Sequence, residues 1–417
     1  MLMIDEQTKR DSWQHLLLRA AHDISLSAAQ YSKIDERYSQ LEKILSASSD
    51  PLLAGAHIFV QGSIKLQTTI KPVPDAPGEM NTIDADAVVW LPHAQGASAD
   101  VVLEAIEKRF KEGSRVKEDI QQLRRGIRIV YADDAPGFHI DVTPARATYG
   151  NPQEKGEGKL EVPDRQTGWK ASSPIPYSQW LEEASTHQIV ALESVGLNKR
   201  ELVFDAATQD PMPTYEDYID QDPLRATIKL LKRHRDEWAI RTENEAVRPI
   251  SAVITTLATH AYLDVVKTSQ SQPIKPLDAI VQIVDRMTAF IVQKGDEYFV
   301  CNPADHGENF AEKWNRPQEG QCYRQAFYKW HYEARQSVLL GLGNFDSTEA
   351  FADAFKKSFG MESTFISVVN NELPANWTMP GRPNGTTRNT VLMGSMFGTN
   401  TASGHSQASV KPVERLG

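Results

Sequence analysis

Two aspartates one residue apart in an apolar run, Asp84-Ala-Asp-Ala-Val-Val-Trp-Leu91, constrain this chain more than any other feature. The run reads as a strand ending at Pro92, and side chains at i and i+2 of a strand leave the same face. Asp84 and Asp86 therefore converge, while Ala85 and Ala87 face away. Upstream, His57-Ile-Phe-Val-Gln61 reads as a strand entering the Gly62-Ser63 turn. Glycine there permits close backbone approach, and the start of a following helix presents free N–H groups to a phosphate. Downstream, Gly126 to Tyr131 and Phe138 to Val142 read as a hairpin around Asp133-Asp134-Ala-Pro-Gly137. Asp141 thus sits in another apolar strand. If that strand lies beside the first, three carboxylates meet, and divalent cations, Mg²⁺ first, accommodate such a cluster best. A Gly-Ser pair alone marks an ordinary turn, and D-x-D alone a solvated face. The order of strand, Gly-Ser, helix, D-x-D strand and late acid is what carries weight.

Around this run the chain alternates and then changes character. Residues from about Glu6 to Ala47 have the apolar spacing of two helices, and Asp100 to Phe110 that of one amphipathic helix. From Tyr149 to Pro176, Gly, Lys, Glu, Pro and Ser predict an exposed excursion. Helices are then predicted over Tyr177 to Glu183, Leu224 to Trp238, Ser251 to Thr268, Pro276 to Val292, Ala304 to Asn315, Tyr323 to Leu342 and Ser347 to Phe359. Beyond Asn371 the composition is poor in large aliphatics, which predicts a disordered tail.

Composition narrows the function classes. A net charge of −10 over 417 residues argues against a broad basic footprint, so duplex nucleic acid is not expected as a partner. No long apolar run and no leader pattern appear, so a cytoplasmic protein without a membrane association is expected. Cys301 and Cys322 are too few for a disulfide framework or a zinc site and read as reduced, partly buried thiols.

Gly62, Ser63, Asp84, Asp86 and Asp141 resemble the signature of the DNA polymerase beta-like nucleotidyltransferases. Within that superfamily, QGSIKLQTTIKP, DADAVVWLP and HIDVTPA are similar to the bacterial cyclic-oligonucleotide synthases related to cyclic GMP-AMP synthase and oligoadenylate synthase, which act in antiphage defence. The resemblance implies an α+β fold. Residues 1–165 would form a nucleotidyltransferase core with a mixed sheet, 166–370 a helical second domain closing the cleft, and 371–417 the tail. It implies in-line attack of a ribose hydroxyl on an α-phosphate with pyrophosphate release, giving a cyclic di- or trinucleotide from ATP or other nucleoside triphosphates. Asp84, Asp86 and Asp141 would hold two Mg²⁺, with Mn²⁺ as a substitute. The Ser63-to-Asp84 spacing exceeds that of compact relatives, with Pro72 to Asn81 as an inserted loop.

Other positions carry over with a structural alternative beside each. Lys229 matches the basic residue that meets the triphosphate, with Lys232 and Arg225 as fallbacks, and is equally a lysine on a solvated helix face. Ser251 matches a nucleotide-contacting serine and is equally a helix cap. Trp169 and Tyr177 could stack a base or simply pack. His139 shares the face of Asp141, where a hydrogen-bonded histidine at the cleft edge needs no metal role. A C-terminal Gly417 suits ubiquitin-like conjugation enzymes as partners. The rival readings are a nucleotidyltransferase acting on tRNA or protein, and an idle binding protein on the same fold.

Overall fold

The computed structural model describes residues 2–113, 119–131, 136–148, 155–190, 212, 222–361 and 363–365. The expectations for the tail from Asn371, for Gly417 and for the turn at 133–135 lie outside them.

Helices α1 (Leu2–Asp23) and α2 (Ala28–Ser46) open the chain. A reciprocal capping box between Ser27 and Gln30 starts α2, which turns Ile34, Tyr38, Leu41 and Leu45 into the sheet's core. Strand β1 (His57–Gln61) runs into the single turn α3 (Gly62–Lys65), and β2 (Ile83–Trp90) follows a loop that buries Val73, Ala76 and Met80. After α4 (Ala99–Gly113) come β3 (Asp119–Gln122), β4 (Ile127–Tyr131), β5 (Phe138–Ala147), β6 (Leu160–Asp164) and β7 (Gly168–Ser172). They form a seven-stranded sheet of order β1-β2-β5-β4-β3, with β6 on the far end of β5 and β7 beyond it. The β2–β5 pair is parallel and the others antiparallel, so the sheet is mixed. The stretch expected as an excursion therefore supplies two strands over its described part.

The rest is mostly helical: α5 (Pro174–Thr186), α6 (Pro223–Thr242), α7 (Ser251–Ser269), α8 (Pro276–Arg286), α9 (Gly320–Val338) and α10 (Thr348–Phe359). The fold is α+β. Trp13, Leu16 and Leu17 of α1 and Phe351, Phe355 and Phe359 of α10 pack on Ala226 and Leu230 of α6. One expected helix is absent. Ala304 to Asn315 instead belongs to short strands and a 3-10 turn, in the series β8 (Val292–Lys294), β9 (Glu297–Phe299), β10 (Cys301–Asn302) and β11 (Asp305–Asn309). The side chains of Asn302, Asp305 and Asn309 accept from the N–H groups of Ala304, Gly307 and Ala311, and these local bonds compete with the helix ladder. For the same reach of chain, α8 stops at Arg286 rather than Val292. Cys322 is exposed, not partly buried, because it lies on an outer face of α9.

Asp164 ends β6 fully buried and accepts from Arg124 Nε at 2.8 Å, Arg125 Nε at 3.2 Å and the Gln166 N–H at 2.9 Å. Arg125 also reaches Glu312, tying the β3–β4 turn to the helical part. Burial alone would raise the Asp164 carboxyl, but these donors hold it well below 3.8. Its stabilisation is present above that ordinary value and is lost as pH falls below it. Lowering the pH from about 5 to about 3 is expected to reduce the denaturation midpoint of the wild type more than that of Asp164→Asn, which starts about 2 kcal/mol less stable. Equal acid sensitivity would remove Asp164 as a source of it.

Candidate active site

Strand alternation builds the site. Ile83, Ala85 and Ala87 are buried in the sheet's core, which leaves Asp84 and Asp86 on the opposite, open face. The parallel register with β5 sets Asp86 opposite Asp141 and Asp84 opposite His139, while antiparallel β1 sets Gln61 opposite Asp86. The chain then turns at Gly62, whose φ is +60°. A Cβ there would lie 2.1 Å from Asp86 Oδ2, so only glycine lets the turn press against this carboxylate. The expected juxtaposition of the three acids and the Gly-Ser turn is the one observed.

A cavity of about 310 Å³ opens in front of them. Gly62, Ser63, Thr69, Asp84 and Asp86 line the sheet side, with Pro72, Glu79 and Met80 from the inserted loop; Tyr177, Lys232, Arg235, Arg248, Ser251 and Glu308 line the helical side. Asp141 is held bidentately by Arg128, Nε to Oδ1 at 2.7 Å and Nη2 to Oδ2 at 2.8 Å. Arg128 also donates to Glu79, which lies 3.7 Å from Arg248. Thr69 donates to Ser63 Oγ at 3.0 Å, and the Thr68 N–H donates to the Ser63 carbonyl at 2.9 Å.

Lys232, with Lys65 and Lys71, lines this cavity, and Lys229 does not. Lys232 Nζ donates to the Thr68 carbonyl at 2.9 Å, whereas Lys229 donates to Ser25 Oγ, away from the cavity, and Arg225 is engaged with Leu66, Asp222 and Glu182. Three helix positions separate the two lysines by about 60° of azimuth, enough to change which element each meets. Ser251 is a cavity residue but not a cap: it stands at the first position of α7 after Ile250 and accepts from Arg235 at 2.9 Å. Tyr177 is part of the wall, its hydroxyl 2.8 Å from Thr256 Oγ1. Trp169 is outside it, stacked under the Arg146 guanidinium at 3.7 Å.

The charges are strained against one another. Burial, then the charges of Asp84 and Asp141, push the Asp86 carboxyl well above its ordinary value. Burial also raises Asp141, against the pull of Arg128. Asp84 is exposed at the mouth of the cleft; partial desolvation there disfavours its charge, but the hydrogen bond with His139 and the charges of Arg128 and Lys232 hold it low. Burial lowers Lys232 to about 8, helped by Arg235 and opposed by the nearby acids. Single oxygens of Asp84 and Asp141 and a nitrogen of His139 lie within 4.8 Å of one another. A divalent cation fits this donor set, since it would relieve the repulsion that raises Asp86.

Sequence reasoning missed Arg128, Arg235, Arg248 and Glu308. Only Arg128 left a signal, as a cation amid Ile127, Ile129 and Tyr131 in a strand next to an acid-bearing one. Among the described residues no helix is long and apolar enough to cross a membrane.

Solved structures with this fold include the CD-NTase CdnG of Bradyrhizobium diazoefficiens in complex with GTP, 19% identical, with a TM-score of 0.59 over 85% of this chain and 98% of that one. DncV of Escherichia coli, in a 3'-deoxy GTP bound form, is 15% identical with a TM-score of 0.48 over 87% of this chain and 89% of that one. The Vibrio cholerae cyclic AMP-GMP synthase DncV, also 15% identical, has a TM-score of 0.47 over 86% and 88%. At these identities the likeness to CdnG establishes the fold alone. No curated protein matches the sequence. Residues 12–184 match the Second Messenger Oligonucleotide or Dinucleotide Synthetase domain, a span that holds the Gly-Ser turn, all three acids and the whole sheet. Over that span, less than half of the chain, the sequence is similar to the second-messenger oligonucleotide and dinucleotide synthetases.

Proposed function

We propose that this chain joins nucleoside triphosphates into a cyclic di- or trinucleotide, a second messenger of antiphage defence in the cytoplasm. The reading is carried by the meeting, around one cavity, of the Gly62-Ser63 turn, the carboxylates of Asp84 and Asp86, and Lys232, with Asp141 beside Asp86 in the sheet register. Divalent cations held by the three acids, two Mg²⁺ or Mn²⁺ in their place, would supply charge neutralisation at the attacking hydroxyl and the leaving pyrophosphate. The chain's own groups do the rest. Ser63, with its hydroxyl oxygen already accepting from Thr69, turns its proton toward the terminal phosphates. Lys232 keeps two of its three N–H donors for the same phosphates, and an arriving polyanion favours its charged form. Arg235 and Ser251 extend that anion-binding wall, and the Tyr177 ring offers a flat face to a base. The GTP bound by CdnG supports a nucleoside triphosphate as substrate. Conjugation at Gly417 by ubiquitin-like enzymes rests on the family resemblance.

Purified protein incubated with Mg²⁺ and four labelled nucleoside triphosphates is expected to yield a labelled product that resists phosphatase. A product wholly degraded by phosphatase would contradict ring closure. Within the same assay, Lys232→Met should raise the KM for triphosphate by about tenfold to a hundredfold, the worth of a charge-assisted bond. Lys229→Met should leave KM within about twofold. The reverse order would return the phosphate role to Lys229.

A further inference from the structure

His139 is 3% exposed and stands on β5 opposite Asp84 and two residues before Asp141, on the face the acids share. Its Nδ1 is 3.0 Å from Thr82 Oγ1. That hydroxyl donates its one hydrogen to the Glu79 carbonyl at 3.1 Å, so toward the histidine it accepts, and the ring hydrogen belongs on Nδ1. One ring nitrogen donating to a fixed oxygen is how proteins orient a histidine whose other nitrogen binds a metal. Nε2 faces Asp84 Oδ1 at 2.9 Å. In the neutral ring both of these atoms are acceptors, so a second proton or a cation has to stand with them. Two atoms bound at right angles to one cation at about 2.1 Å lie about 3 Å apart, close to the separation observed. An oxygen of Asp141 completes the group within 4.8 Å.

We infer that His139 is a nitrogen ligand of the cation bound by Asp84 and Asp141, which makes this a mixed nitrogen and oxygen site favouring a first-row transition ion such as Mn²⁺ over Mg²⁺. Mg²⁺ selects oxygen ligands and retains water, whereas imidazole suits transition ions. The inference rests on the proposed role of the acids as metal ligands and adds the histidine, the Thr82 hydroxyl that aims it, and a metal preference.

The test is Mn²⁺ titration of the metal-free full-length protein, followed by electron paramagnetic resonance, with pulsed spectra of the bound ion. The wild type is expected to show ¹⁴N modulation from a directly bound imidazole and to bind Mn²⁺ more tightly than Mg²⁺. His139→Gln should lose the modulation and weaken Mn²⁺ by about tenfold or more, while Mg²⁺ affinity changes by less than about threefold. Bound Mn²⁺ without ¹⁴N modulation in the wild type would overturn the inference while leaving the acids as ligands; this readout needs no variant to fold. Mn²⁺ binding that is undiminished in Asp84→Asn would overturn the acid site itself, and the histidine's role with it.

Discussion

Replacing Asp84 and Asp86 together by alanine is expected to abolish nucleotide incorporation, a fall of about three or more orders of magnitude, while the metal-free protein unfolds at no lower temperature than the wild type. The two halves have one cause. Both acids leave the same face of β2, and their backs are Ile83, Ala85 and Ala87, so the substitutions touch the cleft and not the core. Asp86 has its carboxyl raised by burial and by Asp84 and Asp141. A raised carboxyl favours the folded state while protonated, and that favour is lost as pH rises through its folded value. At neutral pH ionised Asp86 therefore destabilises the metal-free fold, and removing it offsets the loss of the contacts that hold Asp84 low. Pyrophosphate release measured beside thermal unfolding checks both halves; wild-type release by the double variant would end the assignment of these acids.

Asp141→Asn is expected to act differently, lowering kcat by about a hundredfold or more while the KM for triphosphate stays within about threefold. Asp141 is not among the residues lining the main cavity, but lies across the β2–β5 register from Asp86, where Arg128 fixes both its oxygens. That position suits a group serving the attacking hydroxyl rather than the triphosphate. Asparagine keeps the shape and can still accept one bond from Arg128, so the strand pairing persists. Steady-state kinetics with single-turnover controls separate the two constants, and equal losses in both would place Asp141 on the triphosphate side.

The strands bearing the three acids were legible because period-two alternation is a local property. Ala85 and Ala87 announce the buried face of β2, and the acids must then occupy the other. The lysine was not legible for the opposite reason: Leu224 to Asp236 of α6 are buried without a break, charged residues included, so no solvent face exists to set the helix's rotation. Only the contacts of Lys232 with Thr68 and of Lys229 with Ser25 distinguish them. The strands β10 and β11 escaped because Asn302, Asp305 and Asn309, three and four residues apart, are no barrier to a helix reading of the sequence, while in the fold their side chains satisfy the backbone locally. Arg248 and Glu308 reach the cavity from segments far apart in sequence, and no local pattern marks such residues.

The claim that this cleft closes a ring of nucleotides is tested most directly by counting pyrophosphate released per nucleoside triphosphate consumed at completion. Ring closure uses the last triphosphate as well as the others, so a cyclic product gives one pyrophosphate for every triphosphate consumed, and wild-type protein with Mg²⁺ or Mn²⁺ is expected to reach that ratio. A ratio near one half, the value for a linear dinucleotide that keeps its triphosphate, or release of inorganic phosphate in place of pyrophosphate, would contradict it.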